Sequence, residues 1–475
     1  MGDHAKNGAA WREAVANRAL LALLLFALPV GLASIARVFR DGDTSWHLAV
    51  GHWMLAHHSI PHVDLFSYTM AGKPWVAMEW LSDLLMAGAF AVAGYAGVSA
   101  LIAGALIALN LIVFAWLRRG LGPIGLCLAI IGMDIVLAAF MLARPHVLIW
   151  PVVALWTVLL ARAAERGTPP PFYAALLVTL WANMHGSWPL AALIGAGFAL
   201  DALLVAKWAT WKAWLLFVAA CGVALCLNAN GIEGILNPFR IAQLKSLQLI
   251  AEWQPSNPGF TPNFYAVFLA VLAAILWKGV KVPAGRLLLL VGLLCLAFMQ
   301  VRHQSWLVIV AAIVLPPLFS WRPQPAMRLA PLALVAIPLL LARALIPLTP
   351  AEDEANPRHL LAAIPPQLRA QPVFNDYTMG GPLILNGIRP YVDGRSELYG
   401  DQFMTDYADI AKGDTDKFAA AVKRYGITWA ILSADDTKLV PMFDKLPGWR
   451  RIYADRVGPI YVREDRSSIK VRSAS

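Results

Sequence analysis

Trp80-Leu81-Ser82-Asp83-Leu84-Leu85-Met86-Ala87-Gly88-Ala89-Phe90-Ala91-Val92-Ala93-Gly94-Tyr95 is the stretch on which the reading of this chain turns. It is apolar and rich in Ala and Gly, yet short for a bilayer span, and it carries Asp83 just after Glu79. A crossing helix needs about 20 apolar residues. About eleven other runs approach that length, at 19–36, 98–117, 122–143, 146–161, 171–187, 188–206, 211–227, 263–277, 285–300, 304–320 and 329–347. Whether Trp80 to Tyr95 also crosses decides the orientation of everything after it.

The basic residues choose between the two readings. If the stretch lies in the interface, Arg118-Arg119, Arg162 with Arg166, Lys207 with Lys212, Lys278 with Lys281 and Arg286, and Arg322 with Arg328 all fall on the side of Lys6, Arg12 and Arg18. That is the positive-inside pattern, and a crossing would reverse it. The interfacial reading predicts a bacterial inner (cytoplasmic) membrane protein with a cytoplasmic N-terminus. The outer face then receives residues 37–97 as a first loop, Arg144-Pro145-His146, Met184-His185-Gly186, the segment 228–262, Arg302-His303 and the C-terminal residues.

Composition agrees with a membrane assignment: 59% of residues are apolar and only 14% charged, against about 25% in soluble domains. The net charge of +10 belongs to residues before 351, because the remainder holds 17 basic and 17 acidic residues. A basic excess confined to loops between apolar runs argues for membrane orientation and against nucleic-acid binding. Cys127, Cys221, Cys226 and Cys295 all lie in apolar runs and support neither a disulfide framework nor a thiolate metal site. Ala33-Ser34-Ile35-Ala36 could pass for a signal-peptidase site, but the run before it is long enough to span and is read as the first helix.

The predicted architecture is an α-helical polytopic membrane protein, residues 1–350, followed by a small soluble α/β domain, 351–475. In that domain Pro372 to Phe374, Pro390 to Val392 and Ile427 to Leu432 read as strands and Asp416 to Arg424 as a helix. Trp449 to Tyr453 and Pro459 to Val462 read as a closing hairpin.

Chemistry concentrates in the first loop. Asp41-Gly42-Asp43-Thr44-Ser45-Trp46-His47 precedes an amphipathic helix whose Trp46, Val50, Trp53 and Met54 share one face suited to the headgroup boundary. Two carboxylates one residue apart can share a divalent cation, Mg or Mn, or one can deprotonate a hydroxyl while the other stays ionised. Asp43 and Asp41 are thus candidates for catalysis and for metal binding. Equally, Asp43 could cap a helix starting at Thr44, with Asp41 at a turn. His47, and Asp64 within Ile60 to Tyr68, are candidate substrate contacts beside them.

Further candidates sit at the outer ends of later runs. Arg144, His146, Arg302 and His303 suit phosphate oxygens, or the arginines snorkel to the interface. His185 is a possible base or ligand, or a hydrogen-bonded turn histidine. Glu252, in Glu252-Trp253-Gln254-Pro255, could bind sugar hydroxyls or belong to a turn. Asp376, in Phe374 to Gly381, and Arg395, in Tyr391 to Gly400, lie in dense polar and aromatic stretches, although Asp393-Gly394 is also a turn signal and Arg395 with Glu397 an ordinary ion pair. Phosphate-cradling glycine loops, paired-histidine zinc helices and nucleophile-elbow serines are absent from the sequence.

Asp41-Gly42-Asp43 with Trp46-His47, Pro61 to Tyr68 and Glu79-Trp80-Leu81, set in one span, an acidic outer loop, many further spans and an outer C-terminal domain, resemble the GT-C superfamily of membrane glycosyltransferases, including family 39-like bacterial members. Asn375-Asp376-Tyr377-Thr378-Met379-Gly380-Gly381 is similar to the Trp-Trp-Asp-Tyr-Gly motif of the oligosaccharyltransferase catalytic subunit, but both tryptophans are missing and the glycine is displaced, so acceptor-peptide recognition is not implied. The resemblance implies a polyprenyl-phosphate sugar donor and a glycan, lipid or protein acceptor at the outer face, with a first-loop aspartate, Asp43 or Asp41, as base. Membrane lipids are the remaining partners. The other expectation is a non-enzymatic lipid or glycan transporter or envelope assembly factor, which internal symmetry or broken midplane helices would favour; Asp134 and Asp201 are its candidate midplane charges.

Overall fold

The computed structural model describes residues 21–319, 321–323 and 330–464; Lys6, Arg12, Arg18 and Arg328 lie outside them. Two compact units partition the chain. One holds residues 1–35, 89–238 and 250–348, the other 36–88, 239–249 and 349–475.

The first unit is helical. Trp80–Leu117, Pro123–Phe140, Pro145–Arg166 and Val301–Phe319 are long and apolar enough to cross a membrane, and seven apolar helices of 10–17 residues accompany them among the described residues. The chain is therefore built as a multi-pass membrane protein. Length and composition alone grant a crossing to the four. Proline starts several of these helices, at Pro123, Pro145, Pro189 and Pro262, where its missing N–H leaves no intrahelical bond unmade. Gly167 and Gly279 end the helices before them in left-handed conformation.

Trp80 to Tyr95 is part of a helix that runs on to Leu117 but breaks at Ala93 and Gly94, where Gly94 takes φ 57°. The unit boundary lies within it, between Gly88 and Ala89. The charges expected at the midplane are tied up locally in this unit. Asp201 accepts from Arg286 Nε at 2.7 Å and from the Gly285 amide at 2.7 Å, and Asp134 accepts from Asn110 at 3.0 Å.

The second unit contains a four-stranded sheet in the order β1-β2-β4-β3, with β1 Val373–Asn375, β2 Trp429–Ile431, β3 Trp449–Ala454 and β4 Pro459–Arg463. β1 and β2 are parallel, and β3 and β4 form the hairpin, closed between Ala454 and Pro459. The helix expected at Asp416 to Arg424 spans Thr415–Tyr425 and is capped by Asp414, whose carboxylate accepts the Asp416 and Lys417 amides.

Pro390 to Val392 is not a strand. The Asn375 side chain takes its place in the ladder, accepting the Tyr391 amide at 2.7 Å and donating to the Val392 carbonyl at 2.8 Å. The unit also includes residues 36–88, most of the stretch expected as the first outer loop of the membrane part. Trp46, Val50 and Met54 are the reason: they are buried against Trp75, Ala77 and Ile384. The apolar face expected at the membrane surface is in fact covered by protein. A stripe of apolar residues requires an apolar cover and does not specify which.

Candidate functional site

The helix Asp43–His57 begins one residue earlier than a cap at Asp43 would require. Asp41 Oδ1 accepts the Asp43 amide at 2.9 Å, so Asp41 holds the helix start. The half-buried Asp43 carboxylate points at Gly394: a Cβ added there would fall 1.7 Å from Asp43 Oδ1 and 2.9 Å from Trp46 Nε1. Gly42 faces another close approach, since its Cβ would lie 2.0 Å from the Thr378 carbonyl oxygen, and a Cβ on Gly381 would lie 1.9 Å from the Gly42 carbonyl oxygen. Asp41-Gly42-Asp43 is therefore seated on Thr378 to Gly381 through backbone-to-backbone packing that only glycine permits, while Gly394 leaves room for the Asp43 and Trp46 side chains.

One turn along the same helix, His47 is buried, with Nδ1 2.6 Å from Asp83 Oδ1 and Nε2 3.6 Å from Glu79 Oε2. A carboxylate on Nδ1 sets the ring's tautomer and orientation. Asp43 and His47, four residues apart, share a helix face.

Asp64 and Arg395 meet in the interior of the unit. Arg395 donates Nη1 to Asp64 at 2.8 Å, and Nε and Nη2 to Asp393 at 2.8 and 2.7 Å. Its guanidinium lies 4.8 Å from the Trp75 ring and 5.4 Å from Phe66. Asp64 further accepts Ser67 Oγ at 2.6 Å, and Asp393 accepts the Tyr399 hydroxyl at 2.7 Å. Burial alone would raise the Asp393 carboxyl, but Arg395 and Tyr399 hold it below its ordinary value. Glu397, expected as the partner of Arg395, instead accepts the Trp75 indole N–H at 3.2 Å. Asp64 and Arg395 thus belong to the framework that shapes the Asp43 region.

Asp376 accepts the Thr378 amide at 2.9 Å. Burial, with Glu354 and Asp436 adding negative charge, pushes its carboxyl up to about 6 against that hydrogen bond.

A second cluster lies in the other unit. Glu252 Oε2 accepts Arg144 Nη1 at 3.1 Å and Oε1 is 3.6 Å from Arg302 Nη1. The Arg302 guanidinium stacks 4.3 Å from the Trp253 ring. Burial would raise the Glu252 carboxyl, but Arg144, Arg302 and His146 draw it down to about 2. His185, in the turn after Met184, is held neutral by burial and then by Arg302, His146 and Arg144; its Nδ1 is 2.8 Å from Ser187 Oγ. His146 Nε2 donates to the Phe140 carbonyl at 2.8 Å, and His303 turns to Gln300 at 2.9 Å. Arg144, His146, His185, Glu252 and Arg302 therefore gather, while His303 faces a neighbour of its own. Both arginines bend onto Glu252 rather than extending alone.

No three His, Cys, Asp or Glu side chains among the described residues are grouped so as to hold a metal ion. Asp41 and Asp43 supply two carboxylates, one of which already accepts an amide.

No family model matches the sequence, and no curated protein matches it. Among solved structures, the apo oligosaccharyltransferase of Archaeoglobus fulgidus superposes with a TM-score of 0.51 at 11% identity, over 96% of this chain and 75% of that one. The fold is similar to that of this oligosaccharyltransferase.

Within this oligosaccharyltransferase-like fold, sequence reasoning had assigned no role to Glu79 and Asp83. Asp83 carried a visible signal, a carboxylate inside an apolar run. Glu79 stood in the Glu79-Trp80-Leu81 resemblance, but its partner did not, because only folding brings it to His47.

Proposed function

We propose that the chain is a membrane glycosyltransferase that moves a sugar from a polyprenyl-phosphate-linked donor to a lipid, glycan or protein acceptor on the outer face of the membrane. The oligosaccharyltransferase-like fold supports the reaction class. The observation that carries the reading is the half-buried Asp43 carboxylate, directed onto Gly394 beside the Trp46 indole. In this reading Asp43 accepts the proton of the acceptor hydroxyl. The acceptor oxygen bonds to the anomeric carbon, the bond from that carbon to the phosphate oxygen breaks, and the sugar inverts if the displacement is direct. Asp41 and Asp43 would be the residues to hold a Mg or Mn ion, whose chemistry would be to supply positive charge to the leaving group. Arg144 and Arg302, within their own unit, carry guanidiniums of the kind that match phosphate oxygens.

The test is deletion in the host, complementation by wild type or Asp43→Asn at matched protein level, and mass spectrometry of lipid-linked sugars and surface glycans. Loss of one glycan on deletion, restored by wild type and reduced at least ~100-fold in the variant, supports Asp43 as base. Full restoration by Asp43→Asn removes it from the chemistry. Substrate movement without covalent change in vesicles would favour a transporter.

A further inference from the structure

At the end of the first unit where the helices Trp80–Leu117 and Pro145–Arg166 finish, arginines crowd around indole rings. Arg119 lies 4.7 Å and Arg162 5.9 Å from the Trp116 ring. Trp321 packs 6.0 Å from Trp116, and its ring would meet a Cβ on Gly120 at 2.0 Å. The Arg322 amide donates to the Gly120 carbonyl at 2.8 Å. Arg118 and Arg166 complete the group from the same helix ends. Among the described residues, the carboxylate paired here is Glu165, 3.8 Å from Arg119.

Charge does not balance at this place. Arg162 is electrostatically coupled to Arg119, Arg166 and Glu165, so among the described residues three arginine side chains and one carboxylate act on one another here, and Arg118 and Arg322 add two more arginines on the adjoining backbone. Arg118 Nε is buried with no acceptor among the described residues. Cations at the end of a membrane-spanning helix stand at headgroup depth, where basic pockets between helices bind anionic lipid phosphates. Guanidinium forks match phosphate oxygens, and the indoles suit the boundary between acyl chains and headgroups.

We infer that Arg118, Arg119, Arg162, Arg166 and Arg322, with Trp116 and Trp321, form a binding site for the phosphate of an anionic phospholipid. This site is separate from the proposed catalytic residues and does not depend on the proposed reaction.

The full-length protein, purified in neutral detergent, is offered phosphatidylglycerol, phosphatidylcholine or inorganic phosphate, and bound lipid is read by native mass spectrometry alongside the thermal midpoint. Phosphatidylglycerol is expected to be retained and to raise the midpoint, and phosphatidylcholine to do neither. Arg119→Gln with Arg162→Gln is expected to bind phosphatidylglycerol about thirtyfold more weakly, from about 1 kcal/mol per basic residue. Equal retention of the two lipids by the wild type overturns the proposal without recourse to any variant. So does displacement of phosphatidylglycerol by inorganic phosphate at equal concentration, which would make the ligand a soluble phosphate. Unchanged affinity in a double variant that keeps its size-exclusion profile also overturns it.

Discussion

Gly42 has φ −58°, a conformation any residue adopts, so its requirement for glycine is one of space. Gly42→Ala would drive a methyl into the Thr378 carbonyl, 2.0 Å from the ideal Cβ position. Neither backbone can yield without separating the Asp43 helix from the loop below it. The expected cost is about 1–3 kcal/mol, read as a lowered thermal midpoint of the purified protein. Asp376 makes a pH prediction at the same scale. Its carboxyl is pushed up to about 6, so the folded chain binds a proton more tightly than the unfolded one. Its contribution to stability is full below an ordinary aspartate's titration and is lost as pH rises through about 6. Asp376→Asn keeps the acceptor for Thr378 and is expected to flatten this dependence, gaining about 1–2 kcal/mol at pH 8 in denaturant titrations. An unchanged slope between pH 4 and 7 would show that Asp376 is not the group responsible.

Elements of the second unit are joined by charge as much as by apolar packing. Arg395 connects the segment around Asp64 to the start of the Ser396–Ala411 helix through side chains that exclude water completely. Removing one partner leaves the others buried and unpaired, which costs far more than an exposed ion pair is worth. Arg395→Met is expected to destabilise the unit by about 3–5 kcal/mol, seen as a collapse in yield or a large fall in thermal midpoint. A variant that purifies with an unchanged midpoint would show that water enters this network. The Ser396–Ala411 helix itself escaped sequence reading because Gly400, with φ 75°, interrupts it.

For the whole molecule, the grouping of residues 36–88 with the C-terminal residues has a direct consequence. Ile384 and Leu398 pack with Trp46, Val50 and Trp75, and the Tyr68 hydroxyl donates to the Val373 carbonyl at 2.8 Å. A fragment of residues 351–475 alone would expose that apolar surface and strand the Arg395 network without Asp64. It is expected to lack a cooperative thermal transition by circular dichroism. Sharp unfolding of the isolated fragment would mean that the first-loop segment only decorates an independent domain.

Much of this protein was legible in local sequence. Apolar run length and low charge announced apolar helices, of which four are long enough to cross a membrane, and partial alternation across Trp449 to Tyr453 and Pro459 to Val462 announced the hairpin. Asp41, Asp43, Arg144 and Arg302 stand out in the sequence by residue type and place, as candidates that the proposed function uses. These are properties of neighbouring residues, and the bilayer and the hydrogen-bond ladder act on neighbours. Tertiary structure decided the rest. It decided that Asp41 accepts the Asp43 amide at the helix start, that Glu79 and Asp83 flank His47, that Glu252 joins two arginines, and that Trp46 is buried against protein. Each depends on which distant backbone comes close enough to fill a space or neutralise a charge, and no local pattern carries that information.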